Sequence, residues 1–279
     1  MADLDFSDIV AKFAKEYADE LLARSSAAVK RHLALLGPNL SSHIKDYASK
    51  ATDGVRRVRT ILSDQPSDLV KMYEPIFFDS DKSDYSEDFI SELVGRGTQI
   101  VVKGQGAAGK SMFMRRHFLR VIEKGGCLPF LIELRGYSYS NSGFFAYVLD
   151  QVRGLAPWID VNIFHHLLNT RRIELLLDAL DEVSHEKRIN LADQLHNFIR
   201  DHPRARVIIT TRYGDRYGLL SNLAEYHVKA FGRDQTIALI NGLDFDADSK
   251  DRFVSALSDG LYERSPDLLS NPLLASIML

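Results

Sequence analysis

The chain has 279 residues, enough for about two domains, and 45% hydrophobic with 26% charged residues is the composition of a folded globular protein. Its 38 acidic and 35 basic residues give a net charge of −3, without the basic field of a nucleic-acid binder. The single cysteine, Cys127, excludes an internal disulfide framework and a multi-cysteine zinc site, and it favours a reducing compartment. The chain has no apolar run of the roughly 18 residues that span a membrane, and its acidic start does not resemble a secretory signal, so we expect a cytoplasmic protein with no membrane partner.

Residues 1–65 are predicted to form an N-terminal helical domain. Apolar residues recur at steps of three and four over residues 6–22, the spacing of one buried helix face. After Gly37-Pro38 the same spacing returns over residues 40–62 and predicts a second helix, which is antiparallel to the first if the turn is short. The outer face of this second helix is biased towards basic residues, which fits either a solvated face or a docking surface for an acidic partner.

Residues 66–95 are predicted to link this domain to the next. Residues 73–78 read as an extended strand, because Pro75 disfavours helical backbone at the residue before it. Residues 79–92 contain six acids and one lysine, which favours a solvated linker that leads into a short helix.

Residues 96–231 are predicted to form an α/β domain with a parallel sheet, and residues 232–279 the start of a helical segment. Short apolar runs suit strands that are buried on both faces of a sheet; they lie at residues 99–102, 128–134, 173–177 and 207–210. Helices are predicted between them, at residues 111–124 and 186–200.

A glycine-rich loop directly after the first of these strands is the strongest chemical signal. It matches G-x-x-x-x-G-K-[ST] and reads Gly104-Gln105-Gly106-Ala107-Ala108-Gly109-Lys110-Ser111. Glycines let backbone N–H groups approach phosphate oxygens, and the following helix adds its positive N-terminal end. Lys110 offers a charge for the β and γ phosphates, and the Ser111 hydroxyl offers a ligand for Mg²⁺. We therefore assign nucleotide binding to Gly104, Gly106, Ala107, Ala108, Gly109, Lys110, Ser111 and Met112.

The same loop also contains G-x-G-x-x-G, the pattern of dinucleotide-binding oxidoreductases, with Glu133 available as the acid that binds a ribose. That pattern alone is weak. It gives no reason for Lys110 and Ser111 to follow the third glycine, so the mononucleotide interpretation is favoured, with a simple glycine-rich turn as the remaining alternative.

Three acids lie at the end of the third predicted strand and on the turn after it. Asp178 ends that strand, and because ligands of parallel α/β sheets bind at the carboxyl ends of the strands, we expect Asp178 beside the glycine loop, where it could hold Mg²⁺. Asp181 and Glu182 lie on the next turn, where a carboxylate could polarise the water that attacks a γ-phosphate. The alternative for Asp178 is a structural cap at the strand end.

Arg212 follows the fourth predicted strand, Val207-Ile208-Ile209-Thr210-Thr211. At the carboxyl end of that strand, its guanidinium could contact a γ-phosphate and so distinguish a triphosphate from a diphosphate. The alternative is an arginine on a surface loop.

These motifs together resemble those of a known family. The run LLLDALDEV resembles the Walker B motif of NACHT domains, in the STAND class of P-loop NTPases, and VIITTR resembles the sensor 1 strand of that family. Asn271-Pro272-Leu273-Leu274 resembles its NPLL helix start, and residues 73–78 resemble the strand that borders the adenine in bacterial members. The resemblance covers residues 68–279 and indicates a bacterial protein of the NOD-like-receptor type.

The resemblance implies an ATP-gated switch that is closed with ADP and oligomeric with ATP, and that serves innate immunity or defence against phage. It implies Mg²⁺ at Ser111 and Asp178, hydrolysis through Asp181 and Glu182, phosphate sensing by Arg212, and adenine contacts from Tyr73, Pro75, Pro272 and Leu273. Self-association would then use the N-terminal helices. The protein would bind a nucleotide and hydrolyse it slowly. It would also have a sensed molecule or an effector, which the resemblance does not identify.

Two features depart from the family pattern. Ala107 stands where the family often has glycine, which could tighten the loop. The resemblance also implies a winged-helix domain and a C-terminal sensor after residue 279, so we expect either a fragment or control elements on another chain. A second functional class stays open, a conventional P-loop ATPase such as a motor or DNA-repair helper, whose output is turnover.

Overall fold

The structure, a computed structural model, describes residues 6–35, 39–80, 83–214 and 223–279. The helix break predicted at Gly37-Pro38 lies outside these ranges. Among the helices of the described residues, none combines the length and the apolar character that a membrane crossing requires.

Three helices form the N-terminal region: α1 (Phe6–Arg24), α2 (Ala27–Leu35) and α3 (Leu40–Arg56). The apolar stripe predicted for residues 6–22 is confirmed, since Phe13, Tyr17 and Leu21 are buried on α1. The matching stripe of α3 is buried at Ile44 and Tyr47.

The second helix does not reach residue 62 as predicted, because α3 ends at Arg56. Residues Arg57–Thr60 form strand β1, which pairs antiparallel with β2 (Ser63–Asp68). The spacing of Val58 and Leu62 fits a helix, but exposure alternates along β1 with the two-residue period of a strand. We call β1, β2 and their connection the hairpin.

A seven-stranded sheet organises the rest of the chain, which confirms the predicted α/β class. Its seven strands are β3 (Phe78–Ser80), β4 (Ser83–Tyr85), β5 (Ile100–Lys103), β6 (Leu128–Glu133), β7 (Ile173–Asp178), β8 (Arg206–Thr211) and β9 (Ala224–Val228). They lie in the order β4-β3-β9-β5-β8-β7-β6. The five strands from β9 to β6 are parallel, and β3 and β4 add an antiparallel edge.

The prediction of an extended strand at residues 73–78 is largely wrong, because only Phe78 belongs to a strand. A short helix, α4 (Leu69–Met72), precedes this segment, and residues 73–77 are irregular. Side chains satisfy its backbone in place of a strand partner: Ile76 N–H donates to the Glu87 carboxylate at 2.9 Å, and the Pro75 carbonyl accepts from Gln235 at 2.9 Å.

Helices cover both faces of the sheet and continue to the C-terminus. They are α5 (Glu87–Gly95), α6 (Lys110–Lys124), α7 (Phe144–Leu155), α8 (Val161–Asn169), α9 (His185–Asp201), α10 (Arg233–Gly242), α11 (Ala247–Ala256), α12 (Tyr262–Arg264), α13 (Pro266–Leu269) and α14 (Pro272–Met278). The predictions at residues 111–124 and 186–200 are therefore confirmed as α6 and α9.

One hydrophobic core joins the N-terminal helices to the sheet, and a second, smaller cluster joins Met72 to the C-terminal helices. Tyr17 donates its hydroxyl to the Arg172 carbonyl at 2.6 Å, and Tyr47 donates to the Pro129 carbonyl. Buried hydrogen bonds of this kind contribute about 1 kcal/mol each. The apolar faces of α1 and α3 are thus packed against the sheet domain.

Candidate functional site

The glycine loop connects β5 to α6 at the carboxyl edge of the parallel sheet. Gly104 lies so close to β9 that a side-chain Cβ would stand 3.0 Å from Val228 Cβ. Gly109 has a φ of +90°, which side chains rarely allow, and directly precedes the first turn of α6. Close packing and backbone geometry therefore explain these two glycines.

Lys110 lies in the first turn of α6 and bends back over the loop. Its Nζ donates to the carbonyls of Gly104 and Gln105, both at 2.8 Å. Burial lowers the pKa of this ammonium; the acids Asp181 and Asp178 raise it again, and Arg212 lowers it further. The lysine is thus a partly desolvated cation, a suitable partner for phosphate oxygens.

Ala107, where the loop departs from the family pattern, has a φ of +63°. This left-handed conformation costs an L-residue about 1–2 kcal/mol relative to ordinary helical backbone. The loop therefore carries local strain at Ala107.

Asp178 ends β7 and is held by β8. Its carboxylate accepts a hydrogen bond from the Thr210 hydroxyl, whose oxygen in turn accepts from Ala179 N–H at 2.9 Å. The Asp178 side chain is buried, and Thr210 is buried completely. Sequence reasoning did not identify Thr210, although its position at a strand end beside Arg212 was a usable signal.

Asp181 forms an ion pair with Arg212 across the site, with Oδ2 2.8 Å from Nε. The carboxylate is only 11% exposed while the arginine is 57% exposed, so the arginine is the freer partner. Arg188 donates to the backbone carbonyls of Asp181 and Val183 and so fixes the turn that carries the acids. Sequence reasoning missed Arg188, because nothing in the order of residues connects it to this turn.

These residues open into one cavity of about 330 Å³. Its polar wall comprises the loop residues Gly106, Ala107, Ala108, Gly109, Lys110 and Ser111 with Asp178, Asp181, Glu182 and Arg212. Its apolar wall comprises Val58, Ile61, Leu62, Met72, Met112, Leu239, Leu243, Pro272 and Leu273. The volume and the few convergent polar groups are typical of a small-molecule site.

Most of the residues assigned from the sequence line this cavity, but three do not. Gly104 lies behind the loop and holds Lys110 through its carbonyl. Tyr73 and Pro75 are not among the described residues of either wall, and the Tyr73 hydroxyl donates to Glu87 instead. Hairpin residues stand in the cavity wall where the sequence suggested the segment at residues 73–78.

Asn271 connects the C-terminal helices to the glycine loop. Its Nδ2 donates to the Gly106 carbonyl at 2.9 Å, and its Oδ1 caps α14 by accepting from Leu273 N–H at 3.1 Å. The sequence indicates Asn271 only as part of a motif, although its place before a proline that begins a helix is typical of a capping residue.

The oxygen donors fit Mg²⁺. Ser111 and Asp178 line the same cavity, and a hydroxyl and a carboxylate are the ligand types this ion prefers. Within the described ranges, no group of three or more His, Cys, Asp or Glu side chains could hold a metal alone. Such a site matches an ion that takes its remaining ligands from phosphates and water.

The parallel sheet, the glycine loop and the acids at its carboxyl edge define a P-loop nucleotide-binding domain. The model of the NACHT domain matches residues 98–243, just over half of the chain. The chain therefore belongs to the NACHT family of P-loop NTPases, and the dinucleotide interpretation of the loop is set aside.

Three solved structures are similar to the chain at low sequence identity. Caenorhabditis elegans PCH-2 is 11% identical, over 69% of this chain and 67% of that one, with a TM-score of 0.38. Saccharomyces cerevisiae RIF2 is 11% identical over 68% and 76%, with a TM-score of 0.41. Domain III of Thermotoga maritima DnaA is 10% identical over 68% and 87%, with a TM-score of 0.40. No curated protein sequence matches the chain significantly.

Proposed function

We propose that this protein binds ATP and ADP with Mg²⁺ in the cavity, hydrolyses ATP slowly, and uses the difference between the two nucleotides as a switch. The observation that carries the proposal is the composition of the polar wall. It brings a lysine, a serine, three acids and an arginine to one edge of the sheet, each suited to a different part of a magnesium triphosphate.

The glycine loop and Lys110 would bind the phosphates. The two carbonyls that now accept from Lys110 Nζ are neutral, whereas β and γ phosphate oxygens are charged and form stronger hydrogen bonds with an ammonium. Partial desolvation of this lysine strengthens that preference.

Ser111 and Asp178 would hold Mg²⁺, which neutralises phosphate charge when it is bound. Thr210 keeps Asp178 fixed, because its donated hydrogen bond occupies one oxygen of the carboxylate and leaves the rest of the group for the metal or its water. Asp178 is thus a prepared ligand that needs little rearrangement.

The two acids on the turn, Asp181 and Glu182, are suited to different roles. Asp181 is paired with Arg212 and shielded from solvent, whereas Glu182 is exposed and lines the cavity. Glu182 is therefore the better candidate to orient and polarise the attacking water, and Asp181 holds the arginine.

Arg212 would distinguish the nucleotides. A γ-phosphate offers its guanidinium a partner of higher charge than Asp181, and a diphosphate offers nothing at that position. ATP would therefore draw Arg212 away from Asp181. Because Asn271 donates a hydrogen bond to the Gly106 carbonyl and caps α14, a rearrangement of the loop would also move α14.

We propose self-association as the output, in innate immune or anti-phage defence signalling as the family resemblance implies. The apolar faces of α1 and α3 lie in the core with the sheet. Assembly through these helices would therefore require their release, which fits the closed arrangement of an ADP-type state.

Light scattering of Glu182→Gln tests the switch. This variant should retain ATP without cleaving it, so Mg·ATP should raise the mean mass above that with Mg·ADP. Adding Arg212→Ala should reduce the shift, whereas Arg96→Ala, which removes an exposed arginine of another ion pair, should leave it unchanged.

A mass that is the same with ATP and ADP at every protein concentration, together with fast turnover by the parent chain, would contradict the switch. That outcome would favour the alternative of an ATPase whose output is turnover.

A further inference from the structure

The hairpin contributes a continuous segment, residues 58–62, to the wall of the nucleotide cavity. This segment lies outside the matched NACHT region at residues 98–243. Its side chains are a mixture of apolar and polar groups, and Ile61 at the turn is 58% exposed. An apolar side chain so exposed at the mouth of a cavity is available to cover a bound ligand.

The hairpin also bridges the two hydrophobic clusters of the molecule. Val58 packs against the main core, and Leu62 packs against the cluster of Met72, Leu243 and the C-terminal helices. Within five residues the chain thus passes from the sheet domain to the C-terminal helices along the cavity wall.

Both ends of the hairpin are fixed to helices. β1 follows α3 without an intervening residue, and β2 leads directly into α4. Arg56, the last residue of α3, pairs with Asp68, the last residue of β2, and Asp68 also caps α4 by accepting from Val70 N–H at 2.9 Å. A displacement of the hairpin tip therefore acts on α3 through a short, closed connection.

The chemistry of the tip suits a base better than a phosphate. The polar wall already supplies the groups that phosphates need, whereas Ile61 and Leu62 belong to the apolar wall with Pro272 and Leu273. The faces of a purine are apolar and gain from contact with such side chains. Arg59, exposed on β1, adds a cation to the lining of the cavity.

We propose that the hairpin tip, residues 58–62, packs on the base of the bound nucleotide and so connects nucleotide occupancy to the N-terminal helix α3. The inference rests on the proposed function, since it requires nucleotide in the cavity. It assigns base recognition to the segment before residue 73 rather than to residues 73–78.

Cysteine protection tests this contact in the full chain. Ile61→Cys places a thiol at the exposed tip, and the native Cys127 reacts poorly because it is buried and burial raises the pKa of its thiol. Leu155→Cys is the matched control, since Leu155 is 50% exposed on α7 and is not among the residues that line the cavity. Each variant is modified with a maleimide in the presence of Mg·ADP, of pyrophosphate, or of neither.

Mg·ADP at about 100 times its dissociation constant should slow modification at position 61 by about tenfold or more, because almost every site is then occupied. Modification at position 155 should be unchanged. Pyrophosphate, which lacks the base, should protect position 61 little or not at all.

Calorimetric titration of the parent and both variants separates the possible failures. Intact ADP binding without protection at position 61, or equal protection by pyrophosphate, would overturn the base contact while the proposed function stands. Loss of ADP binding in Ile61→Cys alone would support the contact. No binding by the parent chain would overturn the proposed function and this inference together.

Discussion

The polar wall of the cavity comes from short segments that follow three neighbouring strands, β5, β8 and β7, whereas the apolar wall is collected from segments spread between residues 58 and 273. The polar wall is thus a property of one sheet edge. Among the described residues, the apolar wall forms where the hairpin, α4, α10 and α14 meet beside Met112 of α6. A phosphate site can therefore be encoded locally, whereas a base site depends on how distant parts of the chain pack.

This difference predicts where substitutions act. Changes to the phosphate-binding and metal-binding groups of the polar wall should weaken every phosphate ligand, and changes in the apolar wall should weaken only ligands with a base. The loss of affinity should also be larger for changes in the polar wall. A charged hydrogen bond in a partly desolvated site contributes more to binding than one exposed apolar side chain does.

The largest effect is expected for Lys110→Ala. Loss of the loop's lysine should weaken binding of both Mg·ATP and tripolyphosphate by about a hundredfold, or about 3 kcal/mol, in calorimetric titrations. Lys124→Ala, an exposed lysine at the opposite end of α6, is the control and should bind normally. Normal ATP affinity in Lys110→Ala would remove the phosphate site from this loop.

The acids should separate binding from turnover. Glu182→Gln should keep ATP affinity and lose turnover by roughly a hundredfold, because it removes the proposed base and no phosphate contact. Asp178→Asn should lose Mg²⁺-dependent ATP binding as well as turnover. A phosphate-release assay measures the turnover, and calorimetric titration with and without Mg²⁺ measures the binding. If both variants hydrolyse ATP at the rate of the parent chain, these acids have a structural role and not a catalytic one.

The apolar wall is tested by Leu273→Ala. Leu273 is 42% exposed, so truncation should leave the fold intact and weaken ATP binding by about fivefold, or about 1 kcal/mol, without changing tripolyphosphate binding. Leu268→Ala is the control, since Leu268 is 46% exposed and is not among the cavity residues. Equal losses for the two ligands would mean that the walls are not separate.

The smallest effect is expected for Ala107→Gly. Glycine relieves the left-handed strain at this position but adds freedom to the unfolded chain, which leaves a net gain of about 0.5–1 kcal/mol. Thermal unfolding should show the Tm rising by about 2 °C. Ala108→Gly, at a position whose φ is not positive, should lower the Tm instead.

The same contrast explains what could be predicted from the sequence. The strands at residues 100–103 and 173–178, the glycine loop and the place of Asp178 follow from local pattern and from the rule that strand ends of a parallel sheet meet. The hairpin could not be predicted in this way, because Val58 and Leu62 continue the helical spacing of α3. Leu62 packs on helices from the other end of the chain, a contact that the local pattern does not reveal.

Thr210 and Asn271 were missed for a related reason. Each acts through a backbone or carboxylate partner that is distant in sequence, 32 residues away for Thr210 and 165 for Asn271. Arg188 acts on carbonyls only five and seven residues before it, but no motif marks it. A motif names the residues that touch a ligand. The residues that hold those groups in place become visible only when the fold brings them together.

A crystal structure of the protein with Mg·ADP would show directly where each part of the nucleotide binds. We expect the β-phosphate on the loop at Gly106 to Lys110, the metal beside Ser111, and the base between Ile61 of the hairpin and Leu273. Nucleotide bound at another surface, or a base that points away from the hairpin towards Tyr73, would contradict it.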